Sequence, residues 1–332
     1  MPTHRAPRSR NRTLVAGAAA VAAVAIIVGA VALVGRPRSA SQLQSAPSTP
    51  PSGTLAASTA DPVVSATPSA VTAEPTAPAA PPDPTAATSA KKGVSTWELS
   101  GLATALSDVG ASWYWNWAVS PTPGAGDSAE FVPMIWGPDS VTSDNLDRAQ
   151  RNGTVLLGFN EPDFANQSNI SVEQALDLWP RLQATGMRLG SPAPAVGGAD
   201  PGGWLDRFLS GAAQRGYRVD FIALHWYGSD FSAAAVGHLR GYLQAVWDRY
   251  HLPIWLTEFA LIRWGSSGAV YPSDAEQAAF ITGTTEMLEG LSFVERYAWF
   301  ALPTSDGRDG TGLYRDGATP TAAGIAYRGA GG

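Results

Sequence analysis

From about Lys91 onward the chain repeats one pattern: a short, nearly continuous apolar run, a polar break, then an amphipathic stretch. The apolar runs are GVSTW (93–97), SWYWNWA (112–118), FVPMIWG (131–137), TVLLGFNEP (154–162), RLGSPA (188–193), DFIALHWYG (220–228), PIWLTEFA (253–260) and RYAWFA (296–301). They read as strands. Two of the later amphipathic stretches carry helix-start signals, Ser171 with Gln174 before ALDLWPRLQ and Ser273 with Glu276 before QAAFITGTTEML, the spacing of a capping box. Runs apolar along their whole length suit a parallel sheet covered on both faces by helices. Eight of them in residues 91–332 match the size of a (β/α)8 TIM barrel, an α/β fold. A doubly wound open sheet is the competitor, but no G-x-G-x-x-G follows the first strand.

Two earlier segments break this pattern. Residues 14–35 form an uncharged, mostly apolar run, long enough to cross a bilayer as one helix. Arg5, Arg8, Arg10 and Arg12 precede it and only Arg36 and Arg38 follow closely, a bias that keeps residues 1–13 in the cytoplasm and sends the rest out. This predicts a signal anchor; a cleaved signal peptide is the rival. Residues 36–90 are rich in Pro, Ala, Ser and Thr and hold no aromatic side chain, so they bury too little apolar surface to offset chain entropy and read as a disordered linker. The expected location is extracellular or at the cell surface, anchored through residues 14–35 or secreted, with a monomeric barrel.

Composition narrows the chemistry. A net charge of −6 argues against nucleic acid as a partner. The absence of cysteine excludes a disulfide scaffold, thiol catalysis and cysteine-ligated metal. There is no H-E-x-x-H, and SDGRDGTG (305–312) reads as a surface turn rather than a calcium loop. No metal or cofactor is implied.

Chemistry-bearing residues cluster where a barrel would use them. Functional residues of such barrels sit at the C-terminal strand ends, and four runs end there in polar or aromatic groups: Asn160 and Glu161; His225, Trp226 and Tyr227; Glu258; Trp299. Taken singly, Glu161 before a proline is a turn residue and His225 a core histidine bonded to a carbonyl. Recurrence argues for one shared site. His225 and Tyr227, two apart on a strand, share a face, whereas Trp226 points the other way on an ideal strand. Two glutamates at facing strand ends suit glycosidic bond cleavage, one donating a proton and the other ionised. Tyr114, Trp115, Trp117, Trp136, Trp226, Tyr227, Trp264 and Trp299 supply flat faces suited to sugar rings, although part of this set is packing.

In order, SWYWNW, FVPMIWG, LLGFNEPD, LGSPA, DFIALHWYG, PIWLTEFA and VERYAWFA resemble glycoside hydrolase family 128, in the clan of retaining (β/α)8 glycosidases. The likeness covers roughly residues 91–327; the closing GLYRDGATPTAAGIAY resembles the family's last hairpin and helix. Asn-Glu-Pro alone marks only the clan, whereas the whole series is specific. The resemblance implies that Glu161 is the acid/base, Glu258 the nucleophile and Asn160 the holder of the sugar 2-hydroxyl. It places Tyr227 beside Glu258 and His225 on the same floor; Trp136, Trp226, Trp299, Tyr114 and Asn116 are expected from their own chemistry and position to bind substrate. It implies β-1,3-glucan, or a related polysaccharide, cut by double displacement as an endo-β-1,3-glucanase does. Two alternatives stay open: a catalytically idle glucan-binding protein, and the same chemistry on another β-linked polymer.

Overall fold

The computed structural model describes residues 89–265, 268–305 and 307–331. The basic N-terminus, the apolar run 14–35 and nearly all of the linker lie outside the described residues. Among the described residues no helix is long and apolar enough to cross a membrane.

In chain order the elements are β1 (Lys92–Ser95), α1 (Leu102–Asp108), β2 (Trp113–Trp115), β3 (Glu130–Phe131), α2 (Ser143–Asn152), β4 (Val155–Leu156), α3 (Val172–Gln183), β5 (Arg188–Leu189), α4 (Trp204–Gln214), β6 (Ile222–Gly228), α5 (Ala234–Tyr250), β7 (Ile254–Leu261), the hairpin β8 (Arg263–Gly265) and β9 (Gly268–Val270), α6 (Asp274–Gly290), β10 (Val294–Trp299), the hairpin β11 (Tyr314–Asp316) and β12 (Thr319–Pro320), and α7 (Ala322–Arg328). Each of the eight apolar runs overlaps one parallel strand. At α6 the Ser273 and Glu276 box forms in full, and at α3 Ser171 accepts from the Gln174 amide.

One sheet runs β3-β2-β1-β10-β7-β6 and a second pairs β4 with β5. Parallel bridges Met134↔Leu157 and Gly190↔Phe221 join the two at both edges. The eight parallel strands therefore close into a ring, a barrel-like α/β fold. One unit departs from the repeat: among the described residues no helix separates β2 from β3. The connection carries Pro121, Pro123, Gly124 and Gly126, which disfavour a helix through lost amide donors and backbone entropy.

Alternation sorts the side chains into two cores. Trp113, Trp115, Val132, Met134, Val155, Leu157, Phe221, Trp255 and Ala298 form one buried cluster inside the ring. Their neighbours Tyr114, Phe131, Ile222, Leu224, Leu256 and Trp299 pack outward against the helices. Large rings fit inside because small residues face them: a Cβ on Gly93 would meet the Trp113 indole at 2.4 Å, and one on Gly190 would meet Phe221 at 2.6 Å. The N-terminal end is sealed. The Trp255 ring stacks on Phe221 (4.3 Å) with the Arg296 guanidinium 4.4 Å from its centre. Glu295 accepts from both Arg188 (2.7 Å) and the Trp255 indole (2.9 Å). The open mouth is the C-terminal one.

Candidate active site

The first carboxylate stands where β4 runs out. The Asn160 amide donates to Trp136 O (2.9 Å) and the Glu161 amide to Ala193 O (2.8 Å), so the backbone is held by the continuations of β3 and β5 on either side. It then turns sharply: Glu161 has φ 39°, a left-handed conformation that costs a non-glycine residue about 1–3 kcal/mol and is found mainly at functional sites. Next to it, Asp163 accepts from the amides of Ala195 and Val196 and ties the following loop down. Its carboxyl is raised by burial, and the charge of Glu161 adds to this against the backbone amides that lower it.

The second carboxylate reaches the mouth through an irregularity. In β7, Trp255 faces inward and Leu256 outward, so strict alternation would turn Glu258 outward. The register with β6 passes from Leu224↔Leu256 to His225↔Glu258, and that with β10 from Tyr297↔Leu256 to Trp299↔Phe259. Both neighbours thus find one extra residue in β7, Thr257. This bulge turns Glu258 inward beside His225, as bulges near active sites re-aim a side chain.

Glu161, His225 and Glu258 are all buried, and one ligand-type atom from each lies within 4.8 Å of the others. His225 Nδ1 is 3.0 Å from Glu161 Oε1. His225 Nε2 is 3.4 Å from Glu258 Oε1, an ion-pair contact without hydrogen-bond geometry. Glu258 also accepts from the Tyr227 hydroxyl and, at 3.0 Å, from the Trp117 indole. Burial pulls the His225 imidazole down, but the charges of Glu258 and Glu161 with the bond to Glu161 outweigh it, so its pKa lies above the ordinary value. Burial raises the Glu258 carboxyl, with Glu161 adding to the rise against His225, Tyr227 and Trp117. Tyr227 is raised well above the usual phenol, first by burial and then by both glutamates, so it stays a donor.

Four buried polar atoms without a hydrogen-bond partner gather in these segments: Asn160 Oδ1, Glu161 Oε2, Ser168 Oγ and His225 Nε2. Unpaired buried polar groups are rare in folded proteins, and here they offer bonding capacity to a ligand rich in hydroxyls.

An aromatic wall borders the carboxylates. Trp117 lies 5.9 Å from Phe300 and 6.3 Å from Trp97, and Tyr227 lies 5.6 Å from Phe300 and 6.4 Å from Trp264. Trp115 lies beneath, 4.6 Å from Trp117, with its indole on Thr257 O at 3.0 Å. Of the residues expected at the site, Asn160, Glu161, His225, Tyr227 and Glu258 come together, and Trp136 packs half-buried beside the inner cluster. Asn116 instead braces its own loop through Ser120 O and Thr122 Oγ1. Tyr114, Trp226 and Trp299 are turned away: Tyr114 packs on Phe131, Trp226 stacks on Phe280 and Trp299 packs on Phe259. All three occupy outward positions. Phe300 and Trp97 are the aromatic groups that the sequence reasoning missed. For Phe300 the deciding fact is the inward Ala298, which turns Trp299 outward and Phe300 back in.

Fold and site together define a glycoside hydrolase: the model of the glycosyl hydrolase catalytic core matches residues 95–327. An endo-β-1,3-glucanase of family 128, subgroup I, from Amycolatopsis mediterranei, solved with laminaritriose, is 64% identical (TM-score 0.69), the match covering 72% of this chain and 98% of that one. A subgroup II endo-β-1,3-glucanase from Sorangium cellulosum is 31% identical (TM-score 0.61), with 72% and 98% covered. Alkali-sensitive linkage protein 1 of Schizosaccharomyces pombe is 36% identical over 205 residues, 60% of this chain but 36% of that longer protein. The chain belongs to glycoside hydrolase family 128.

Proposed function

We propose that this chain is an endo-acting, retaining β-1,3-glucanase in which Glu161 is the acid/base and Glu258 the nucleophile. One observation carries the reading: the two buried carboxylates approach within 4.8 Å with His225 between them. Retaining enzymes hold their carboxyls about 5–5.5 Å apart, whereas inverting ones leave about 6.5–9.5 Å for a water. Support for the polymer comes from the Amycolatopsis enzyme, whose structures contain laminari-oligosaccharides. Variants of that enzyme replace one or other of two glutamates, which are as far apart in that chain as Glu161 and Glu258 are here.

The chemistry follows from the contacts. Glu161 protonates the leaving glycosidic oxygen while Glu258 attacks the anomeric carbon, giving a covalent glycosyl-enzyme. Once Glu161 carries the proton that it donates, its charge no longer opposes that of Glu258. The Tyr227 and Trp117 donors and the His225 imidazolium then hold Glu258 ionised. After the first product leaves, Glu161 takes a proton from water, which releases the sugar with its configuration kept. Asn160 binds the 2-hydroxyl of the sugar under attack. Residues 14–35 export the barrel and anchor it outside the membrane, on the linker 36–90. Recovery of the full-length chain with membranes tests this last part, and a soluble form lacking residues 14–35 would replace the anchor with a cleaved signal.

The two glutamates are tested separately. Glu161→Ala should abolish glucan hydrolysis, keep the first step on an aryl β-laminarioside and be rescued by azide with a β-glycosyl azide as product. Glu258→Ala should fail on both substrates, and azide should give the α-azide. The same anomer from both variants, or near-normal glucan hydrolysis by either, would overturn the assignment.

A further inference from the structure

Asn160 has no freedom in its backbone, since its amide donates to Trp136 O (2.9 Å) and its carbonyl accepts from the Ser168 amide (3.2 Å). Its side chain could still present either end of the amide to a sugar, because a half-turn about the last bond exchanges oxygen and nitrogen in nearly the same volume. The two ends differ in chemistry: Oδ1 accepts from a hydroxyl, Nδ2 donates to one.

A neighbour selects between them. The loop after Glu161 folds back on itself, with the Gln167 amide on Phe164 O (3.1 Å) and the Ile170 amide on Pro162 O (3.1 Å). This brings the buried Gln167 side chain onto Asn160, whose Nδ2 donates to Gln167 Oε1 at 3.3 Å. With Nδ2 engaged, Asn160 Oδ1 is left buried and without a partner.

We propose that Gln167 is a positioning residue: by accepting from Asn160 Nδ2 it fixes the amide so that Asn160 Oδ1 accepts the proton of the substrate 2-hydroxyl. The inference rests on the proposed glucanase reading and adds a direction to the Asn160 contact. The direction suits the reaction. As the oxocarbenium-like transition state develops, electron withdrawal from the ring makes the 2-hydroxyl a stronger donor, so an acceptor facing it gains strength when it is needed. Gln167 touches no reacting atom. Its effect passes through Asn160.

The test uses Gln167→Met, which keeps the volume and removes the acceptor, and Gln167→Glu, which keeps the acceptor. Each is assayed at its own pH optimum on an aryl β-laminarioside and on the analogue lacking the 2-hydroxyl on the ring that bears the aryl group. Gln167→Met should lower kcat about tenfold on the first substrate, with KM within about twofold, the worth of one ordinary hydrogen bond. On the 2-deoxy analogue it should change kcat less than about twofold, because no hydroxyl is there to be met. Gln167→Glu should keep kcat on the first substrate within about threefold of wild type. The ratio of the two substrates on one preparation does not depend on the fraction folded, so partial unfolding cannot imitate the result. Equal losses on both substrates would make Gln167 structural, and loss in Gln167→Glu as deep as in Gln167→Met would overturn the acceptor assignment. An inactive wild type on the aryl laminarioside would overturn the glucanase reading itself, a separate failure.

Discussion

Trp117, just past the end of β2, donates its indole N–H to Glu258 on β7 at 3.0 Å. It does so from a left-handed backbone, φ 59°. The donor favours the ionised carboxylate, and the same ring packs against Trp97 and Phe300.

Trp117→Phe removes the donor and keeps an aromatic ring. The expected result is a fall in kcat of about tenfold. The acidic limb of the pH–rate profile should also move to higher pH, since the bond that lowered the Glu258 pKa is gone. Laminarin hydrolysis followed across pH checks both, and an unmoved limb would remove Trp117 from the support of Glu258.

His225 links charge at the site to stability. Its folded pKa lies above the ordinary 6.5, so its stabilising effect is complete below that value and is lost as pH rises through the folded one. The stability advantage of wild type over His225→Asn should therefore shrink with rising pH above about 6.5. Urea unfolding of both proteins from acid to alkaline pH measures it, and an advantage that grows with pH would contradict the raised pKa.

Lys92 gives the opposite slope at the other end of the barrel. Burial, partly opposed by Glu289, lowers its ammonium from 10.5 to about 8, while Nζ donates to Tyr327 O and, at 2.7 Å, to Ala330 O. Between these two values the unfolded chain is protonated and the folded one is not. Wild type should thus gain stability relative to Lys92→Met as pH rises across that window, by up to about 3 kcal/mol. The difference should be flat below it. Thermal or urea unfolding in matched buffers would show either slope.

Glu295→Ala should separate stability from catalysis. It leaves Arg188 and the Trp255 indole without their shared acceptor and should cost about 1–2 kcal/mol. Because this end is remote from the carboxylates, kcat on laminarin should not change. A large loss of kcat at unchanged stability would show that the sealed end communicates with the mouth.

The sequence made the strands and the convergence of Asn160, Glu161, His225, Tyr227 and Glu258 readable, because apolar runs of strand length and polar strand ends are local signals. What it hid was facing. Trp299 and Phe300 are adjacent aromatics, and composition does not say which turns inward; the inner position of Ala298 decides for Phe300. Tyr114 lies outward for the same reason, between the inward Trp113 and Trp115. Trp117 was visible as an aromatic near the rim, but its bond to Glu258 joins residues far apart in the chain and has no local signature. The missing helix between β2 and β3 could be read from Pro121, Pro123 and the glycines near them.

The extra residue at Thr257 gives β7 a role that no side chain in it announces. A regular strand of the same residues, paired without that bulge, would keep Trp255 inward, turn Phe259 inward as well and leave Glu258 among the surrounding helices. Whether Glu258 reaches the mouth is then written in how β7 pairs with β6 and β10 rather than in the kinds of residue it carries. A comparison of related chains made column by column would see the same letters before and after such a change of pairing, although the change would withdraw the proposed nucleophile as surely as a substitution.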